Sequence, residues 1–192
     1  MSVAAGTDLR SLRKHPFDLL QELERRSRAA LAGSSGDDTE TGEAEEWVGI
    51  GFKMADERFI VARDEVREIM VLPPVITRVP GAKPWVRGLA NTRGHLLTIV
   101  DLKLFLGAGP KTGGRETRIL VVNSNELPVG IIVDEVFGFR RFLDREHHLE
   151  TPETVIRCER YLAGTYERSD ESWPVFSMQQ LLSSEEFQQA AE

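Results

Sequence analysis

The chain has 192 residues, 41% hydrophobic and 29% charged, with a formal net charge of −7. That length accommodates one ordinary domain or two small subdomains and lets folding hide roughly two-thirds or more of the surface an unfolded chain exposes. The acidic balance disfavours a dedicated nucleic-acid binder, which needs a basic face, while leaving room for a local basic patch; the single cysteine, Cys158, excludes an internal disulfide and fits a reducing compartment.

Residues 1–14 are polar and mixed in charge, so no secretory leader is expected. No stretch approaches the roughly 20 apolar residues of a membrane span; the longest apolar run, 129–133, is broken by Gly130 and ends at Asp134. The expected address is the cytoplasm, without direct membrane insertion. Residues 16–31 (PFDLLQELERRSRAAL) put Phe17, Leu20, Leu23 and Ala30 or Leu31 near helical spacing, and Pro16 suits a first helical position. This predicts an amphipathic helix within an N-terminal segment 1–32, docked either on its own domain or on a partner. Residues 33–46 (GSSGDDTETGEAEE) hold six acids, no base and Ala44 as the sole apolar residue. Such a stretch buries too little to offset its ordering entropy and reads as a flexible acidic linker. The folded domain is therefore expected over 47–192.

From Trp47 the pattern is β. Val48, Ile50, Phe52 and Met54 alternate with Gly49, Gly51 and Lys53, the period of a half-buried strand. Asp56-Glu57 makes a turn and 59–62 returns. Residues 63–67 read as one helical turn leading into a strand over 68–72, which Pro73-Pro74 stops. Residues 76–79 are short and extended. Residues 88–92 and 96–100 form a hairpin closed at Arg93-Gly94, and 101–106 a brief helix capped by Asp101. Residues 118–123 and 127–133 pair around a turn at 124–126, and 136–142 continues the sheet. The polar stretch 144–160 has no clear pattern; 161–166 and 173–176 are late strands, and 177 onward is a closing helix. Many short strands with frequent Gly and Pro turns indicate a barrel or sandwich.

Few residues suggest chemistry. Residues 107–112 end in Lys-Thr, as a phosphate loop does, but Pro110 stands where that loop needs a glycine N–H. His15, His95, His147 and His148 show no zinc spacing, and His147-His148 reads as a solvated loop. Cys158 reads as a buried or incidental thiol. Asp134 and Glu135 are adjacent, so in a strand they face opposite sides and suit turn capping better than paired catalysis. Arg140-Arg141 is too short for a nucleic-acid track. No nucleotide, metal or other cofactor is expected, and no catalytic group.

Residues 85–102 (WVRGLANTRGHLLTIVDL) closely resemble the core signature of the CheW family: an apolar lead-in, Gly88, Asn91-x-Arg93-Gly94, an apolar strand, then Asp101-Leu102. Val66-Arg67-Glu68-Ile69, followed by Ile76-Thr77-Arg78-Val79, resembles the family's receptor-contact region, and residues 129–136 its V-G-hydrophobic-V-D strand. The likeness covers 47 to about 186. Within the family, 16–20, 47–52, 133–138 and 173–177 resemble the branch serving type IV pilus twitching systems. One departure is Thr98, where many members carry proline.

The resemblance implies a mainly β fold: two small five-stranded β-barrels sharing a core, with short helices and a C-terminal helix. It implies a non-catalytic adaptor coupling the cytoplasmic tip of a methyl-accepting chemoreceptor to the regulatory domain of a histidine kinase, recruited to membrane-associated receptor complexes. By resemblance Val66, Glu68, Ile69, Gly88 and Arg93 map to the receptor-facing region, with Asn91, Gly94 and Asp101 structural; the kinase-facing surface is not assigned by residue. On patterning alone Val66 and Ile69 read as core, Gly88 as structural, and Glu68–Arg93 as a surface ion pair worth little. Competing readings are an adaptor of flagellar chemotaxis, a small barrel-fold enzyme, which needs a cleft of perturbed titratable groups, and a nucleic-acid-binding barrel, which needs interleaved aromatics and bases.

Overall fold

The structure, a computed structural model, describes residues 46–109, 114–124, 127–168 and 170–190. The predicted N-terminal helix, the acidic linker up to residue 45 and the Pro110-Lys111-Thr112 stretch lie outside the described residues; Glu46, predicted as the linker's last residue, is the first residue of a strand and pairs with Leu143. Among the described residues, eleven strands form two sheets. The first contains β1 (Glu46–Met54), β2 (Glu57–Ala62), β8 (Glu135–Leu143), β9 (His147–His148), β10 (Leu162–Arg168) and β11 (Glu171–Phe176), in the order β8-β1-β2-β11-β10-β9. The second contains β3 (Val66–Val71), β4 (Val86–Thr92), β5 (His95–Asp101), β6 (Arg118–Val122) and β7 (Val129–Val133), in the order β3-β6-β7-β5-β4. The mainly β architecture expected is present, with one sheet of five strands and one of six, the sixth only two residues long.

Strand alternation builds a layered core. Ile50, Phe52 and Met54 of β1, with Phe59 and Val61 of β2, point one way and meet Val100, Leu120, Val122, Val129, Ile131 and Val133 of the second sheet. This is the shared core. The opposite faces fill two smaller ones. Ile60, Phe142, Tyr166, Trp173 and Val175 pack inside the first unit; Ala90, Leu97, Ile99, Ile119, Val121 and Ile132 pack inside the second, plugged by Met70, Leu72 and Ile76. Fully covered strands read as continuous apolar runs, which accounts for the sequence of β6 and β7. Glycines make room on the inner faces: a Cβ on Gly130 would lie 2.6 Å from Ile119 Cγ2, and one on Gly49 2.5 Å from the Trp47 ring.

Local signals mostly match. The β4–β5 hairpin closes through Arg93-Gly94, both at positive φ (51° and 84°), the primed turn whose twist suits a two-residue connection. Asn91 Oδ1 accepts from Gly94 N at 3.1 Å. Asp101 is buried and accepts from Leu104 N at 3.3 Å, capping α1 (Leu102–Phe105). Asp134 Oδ2 accepts from Ala55 N at 2.7 Å, supporting a turn in which Ala55 takes φ 56°. Thr98 lies inside the sheet between β4 and β7, and its N–H donates to Pro128 O at 2.9 Å, a bond proline could not make.

Two expectations are corrected. His147-His148 is not a solvated loop but a short edge strand paired with β10; the His147 ring packs 4.9 Å from the Tyr166 ring at a tilt, so an aromatic contact overrides the polar sequence. The closing helix is two pieces, α2 (Met178–Ser183) and α3 (Glu185–Gln188). Ser184 is extended between them (ψ 137°); its Oγ donates to Leu181 O at 2.8 Å, and its carbonyl accepts from Phe187 N and Gln188 N, so the backbone stops and restarts there.

Candidate functional site

β3 is an edge strand of the second sheet, reached from β2 of the first through a single 3-10 turn, Arg63–Glu65. A groove of about 390 Å3 opens where the sheets meet at this crossing. Val66, Glu68 and Ile69 of β3 line one side with Arg63, Asp64, Arg67 and Asn123; Ile50 and Phe139 come from the first sheet. Val66 is buried and Ile50 forms the floor, whereas Ile69 (39% exposed) and Phe139 (62%) offer apolar surface to solvent. A shift in pairing between Val66 and Glu68 marks a bulge, a device that re-aims side chains at a sheet edge.

The hairpin tip of β4–β5 comes round to meet β3. Arg93 Nη1 lies 2.8 Å from Glu68 Oε2, with Arg93 82% and Glu68 30% exposed. Beside it Thr92 Oγ1 lies 3.9 Å from Met70 Sδ. The two edge strands of the five-stranded sheet thus approach through side chains, and the signature Arg93 sits over the strand that forms the groove wall. Asn123 Nδ2 donates to Asp64 O and Asn123 N to Glu65 O, both at 2.8 Å, pinning the crossing.

Of the sequence-predicted residues, Val66, Glu68 and Ile69 lie together along the groove and Arg93 joins them through Glu68. Gly88 lies outside the lining. It is buried at φ 135°, and a Cβ there would fall 2.1 Å from Thr77 O, because Leu89 N donates to that carbonyl at 2.7 Å. Asn91 and Gly94 meet in the hairpin turn, and Asp101 caps α1. The sequence reading did not single out Phe139, placed only in a strand over 136–142, nor the crossing residues Arg63 and Asp64, read as part of a helical turn, and Asn123, read as a strand end.

The groups whose proton affinity is shifted serve the scaffold. Burial pushes the Cys158 thiol up to about 11, and burial also raises the Tyr166 phenol, to about 12. The Arg168 guanidinium, 2.6 Å away, holds Glu146 down at about 2, helped by the Leu143 N–H. Among the described residues no group of three or more His, Cys, Asp or Glu is placed to hold a metal ion, and no helix is long and apolar enough to cross a membrane. The groove has an apolar floor and rim, edged by two arginines and two carboxylates.

Residues 48–186 match the model of the CheW-like domain. The chain is 36% identical to protein PilI of Pseudomonas aeruginosa over 162 residues, 84% of this chain and 88% of that protein. It is 28% identical to the chemotaxis protein CheW of Helicobacter pylori, over 85% of this chain and 95% of that one, and 30% identical to protein FrzA of Myxococcus xanthus over 47% and 56%. The crystal structure of the scaffolding protein TtCheW from Thermoanaerobacter tengcongensis superposes with a TM-score of 0.66 at 22% identity, covering 77% of this chain and all of that one, a likeness of fold.

Proposed function

The chain belongs to the CheW family, and on that premise we propose that it is a non-catalytic adaptor coupling a chemoreceptor to a histidine kinase in the control of type IV pilus motility. The observation that carries the reading is the groove at the sheet crossing, where Val66, Glu68, Ile69 and the Arg93–Glu68 pair stand beside exposed Phe139. A helical receptor tip presents apolar side chains at helical spacing with charges between them, and an apolar floor with charged rims is the complement of that face. An adaptor needs no reacting group. It holds two partners in register, which raises their effective concentration and couples their conformations. The protein acts in the cytoplasm and reaches the membrane through its receptor. The pilus assignment leans on the relative PilI and on the resemblance of residues 16–20, 47–52, 133–138 and 173–177 to that branch.

The relatives named CheW favour a second reading, an adaptor of flagellar chemotaxis. A clean deletion separates the two: loss of surface twitching with swimming bias intact is the expected result, and a swimming defect with normal twitching assigns the protein to the flagellar system. The coupling itself is tested by titrating purified receptor tip and kinase regulatory domain into the protein. Each should bind alone, and the three should form one complex; a protein that binds neither is not an adaptor of this kind.

A further inference from the structure

The turn Arg63–Glu65 carries the chain from one sheet to the other at the edge of the groove, which Arg63 and Asp64 line. Its last residue, Glu65, turns to the C-terminal helices. Glu65 Oε1 accepts from Ser177 Oγ at 3.1 Å and from Gln179 N at 3.2 Å, and Oε2 accepts from Met178 N at 2.9 Å. Ser177 Oγ takes Gln180 N at 3.2 Å, and Ser177 N donates to Tyr161 O at 2.9 Å. All four amides at the start of α2 are therefore satisfied, and two of them depend on a side chain from a distant element. Ser177 caps one amide from the helix's own flank; Glu65 adds a second acceptor that ties the same turn to the residue before β3.

The far end of the helices is tied to the other edge of the same sheet. Met178 and Leu181 sink into the shared core. Phe187 of α3 packs against Trp85 and Phe105, each at a ring separation of 5.4 Å, and Lys83 N donates to Ala190 O at 2.9 Å. Lys83 and Trp85 lead into β4, while Glu65 leads into β3. The C-terminal helices are thus a strap from the first residue before one edge strand to the approach of the other, and those are the strands the Glu68–Arg93 pair brings together.

We infer that Glu65 is a positioning residue for the groove: its carboxylate locks the start of β3 to α2, so that the geometry of the groove and the seating of the C-terminal strap form one coupled unit. The inference rests on the proposal that the groove takes the receptor. Coupling is reciprocal, so whatever orders the groove strand also holds the strap, and the reverse. An ordinary cap would affect only its own turn.

Amide hydrogen exchange on the full chain tests this, with and without a soluble cytoplasmic tip fragment of a methyl-accepting chemoreceptor from the same organism. In Glu65→Ala the amides of Met178 and Gln179 and those of β3 should exchange faster together, by about tenfold, the scale of one lost charged cap, and affinity for the tip should fall by a similar factor. Glu65→Gln keeps one carbonyl acceptor and should lie between. Phe187→Ala releases the other end of the strap without touching Glu65 and should also raise exchange in β3. In the wild type, binding of the tip should slow exchange at Met178 and Gln179, which do not line the groove. Faster exchange confined to residues 178 and 179, with β3 and tip affinity unchanged, overturns the inference and leaves Glu65 a local cap. Joint loss of protection in β3 and α2 in a protein that never binds the tip supports the coupling while refuting the receptor reading.

Discussion

Arg93 occupies a backbone conformation, φ 51°, in which asparagine or glycine would sit with less strain. A long charged side chain held there against propensity, 82% exposed and reaching Glu68 at 2.8 Å, is better explained by what it meets than by what it stabilises. An ion pair that open contributes about 0–1 kcal/mol to folding. Arg93→Glu should therefore melt close to the wild type, yet lose most receptor binding, since truncating one member of an interfacial charge pair costs roughly 2–5 kcal/mol. Adding Glu68→Arg restores a pair but leaves a receptor facing reversed charges, so binding should stay lost. Thermal denaturation and a binding titration on the two single mutants and the double decide this; an Arg93→Glu protein that binds normally puts the receptor elsewhere. Glu146 belongs to the scaffold and gives a pH signature. The Arg168 guanidinium lowers its folded pKa from 4.5 to about 2. A depressed carboxyl favours the folded state above its unfolded pKa, and that contribution fades as pH falls from about 4.5 through about 2. Glu146→Gln should thus lie below the wild type in stability at neutral pH, with the gap closing on acidification across that window, as denaturant melts at stepped pH would show.

The hairpin around Asn91, Arg93 and Gly94 was legible because its turn chemistry is local: a side-chain acceptor and two positive-φ positions four residues apart or less. The same holds for the Asp101 cap and the β1 alternation. Phe139 was not legible, for a definable reason. In a regular strand Phe137 and Phe139 share a face. Here Gly51 pairs with Gly138 but Phe52 with Val136, so Phe137 is the extra residue of a bulge. Phe137 packs on Trp173, with ring centroids 6.0 Å apart, while Phe139 falls opposite Ile50 and faces the groove. One inserted residue flips a face, and the periodicity of the sequence does not announce the insertion. Glu65 was missed because its partners are more than a hundred residues away. Gly88 illustrates the converse, a signature residue whose element explains it without a partner. The segment around Thr77 lies so close that Gly88→Ala would drive a methyl group into a carbonyl oxygen at φ 135°. That substitution should cost about 2 kcal/mol or more, read as a lowered denaturation midpoint, and any loss of receptor binding should track unfolding instead of preceding it. Normal stability with lost binding would make Gly88 a contact residue after all.

At the scale of the whole molecule, the three apolar clusters are what a sequence reading could name but not arrange. Many of their residues were visible as apolar strand positions, though Ile156 and Cys158 fall in the patternless stretch 144–160 and Met178, Leu181 and Phe187 in the C-terminal helices; their assignment to a shared core or to one unit's interior depends on pairings such as β2 with β11, parallel and joined at Ile60 and Val175 across more than a hundred residues. β1 starts its ladder at Glu46, opposite Leu143, and the Trp47 ring packs against the first unit's core, stacked 4.5 Å from Tyr166 and tilted 6.4 Å from Phe142. The stretch 33–45 that precedes this ladder is acidic and almost free of apolar residues, so residues 1–45 should be dispensable for folding. A chain beginning at Glu46 should melt cooperatively within about 2 °C of the full protein, since a domain of this size shifts by roughly 2–4 °C per kcal/mol. A chain beginning at Gly49 is the necessary contrast. It loses the Trp47 ring from the first unit's core, worth about 2 kcal/mol of burial, along with the first rungs of the β1–β8 ladder, and should melt several degrees lower. Calorimetry on the three chains separates the cases: equal melting of all three would remove Trp47 from the core, and a large drop on cutting at Glu46 would show that the N-terminal segment contributes to the folded domain.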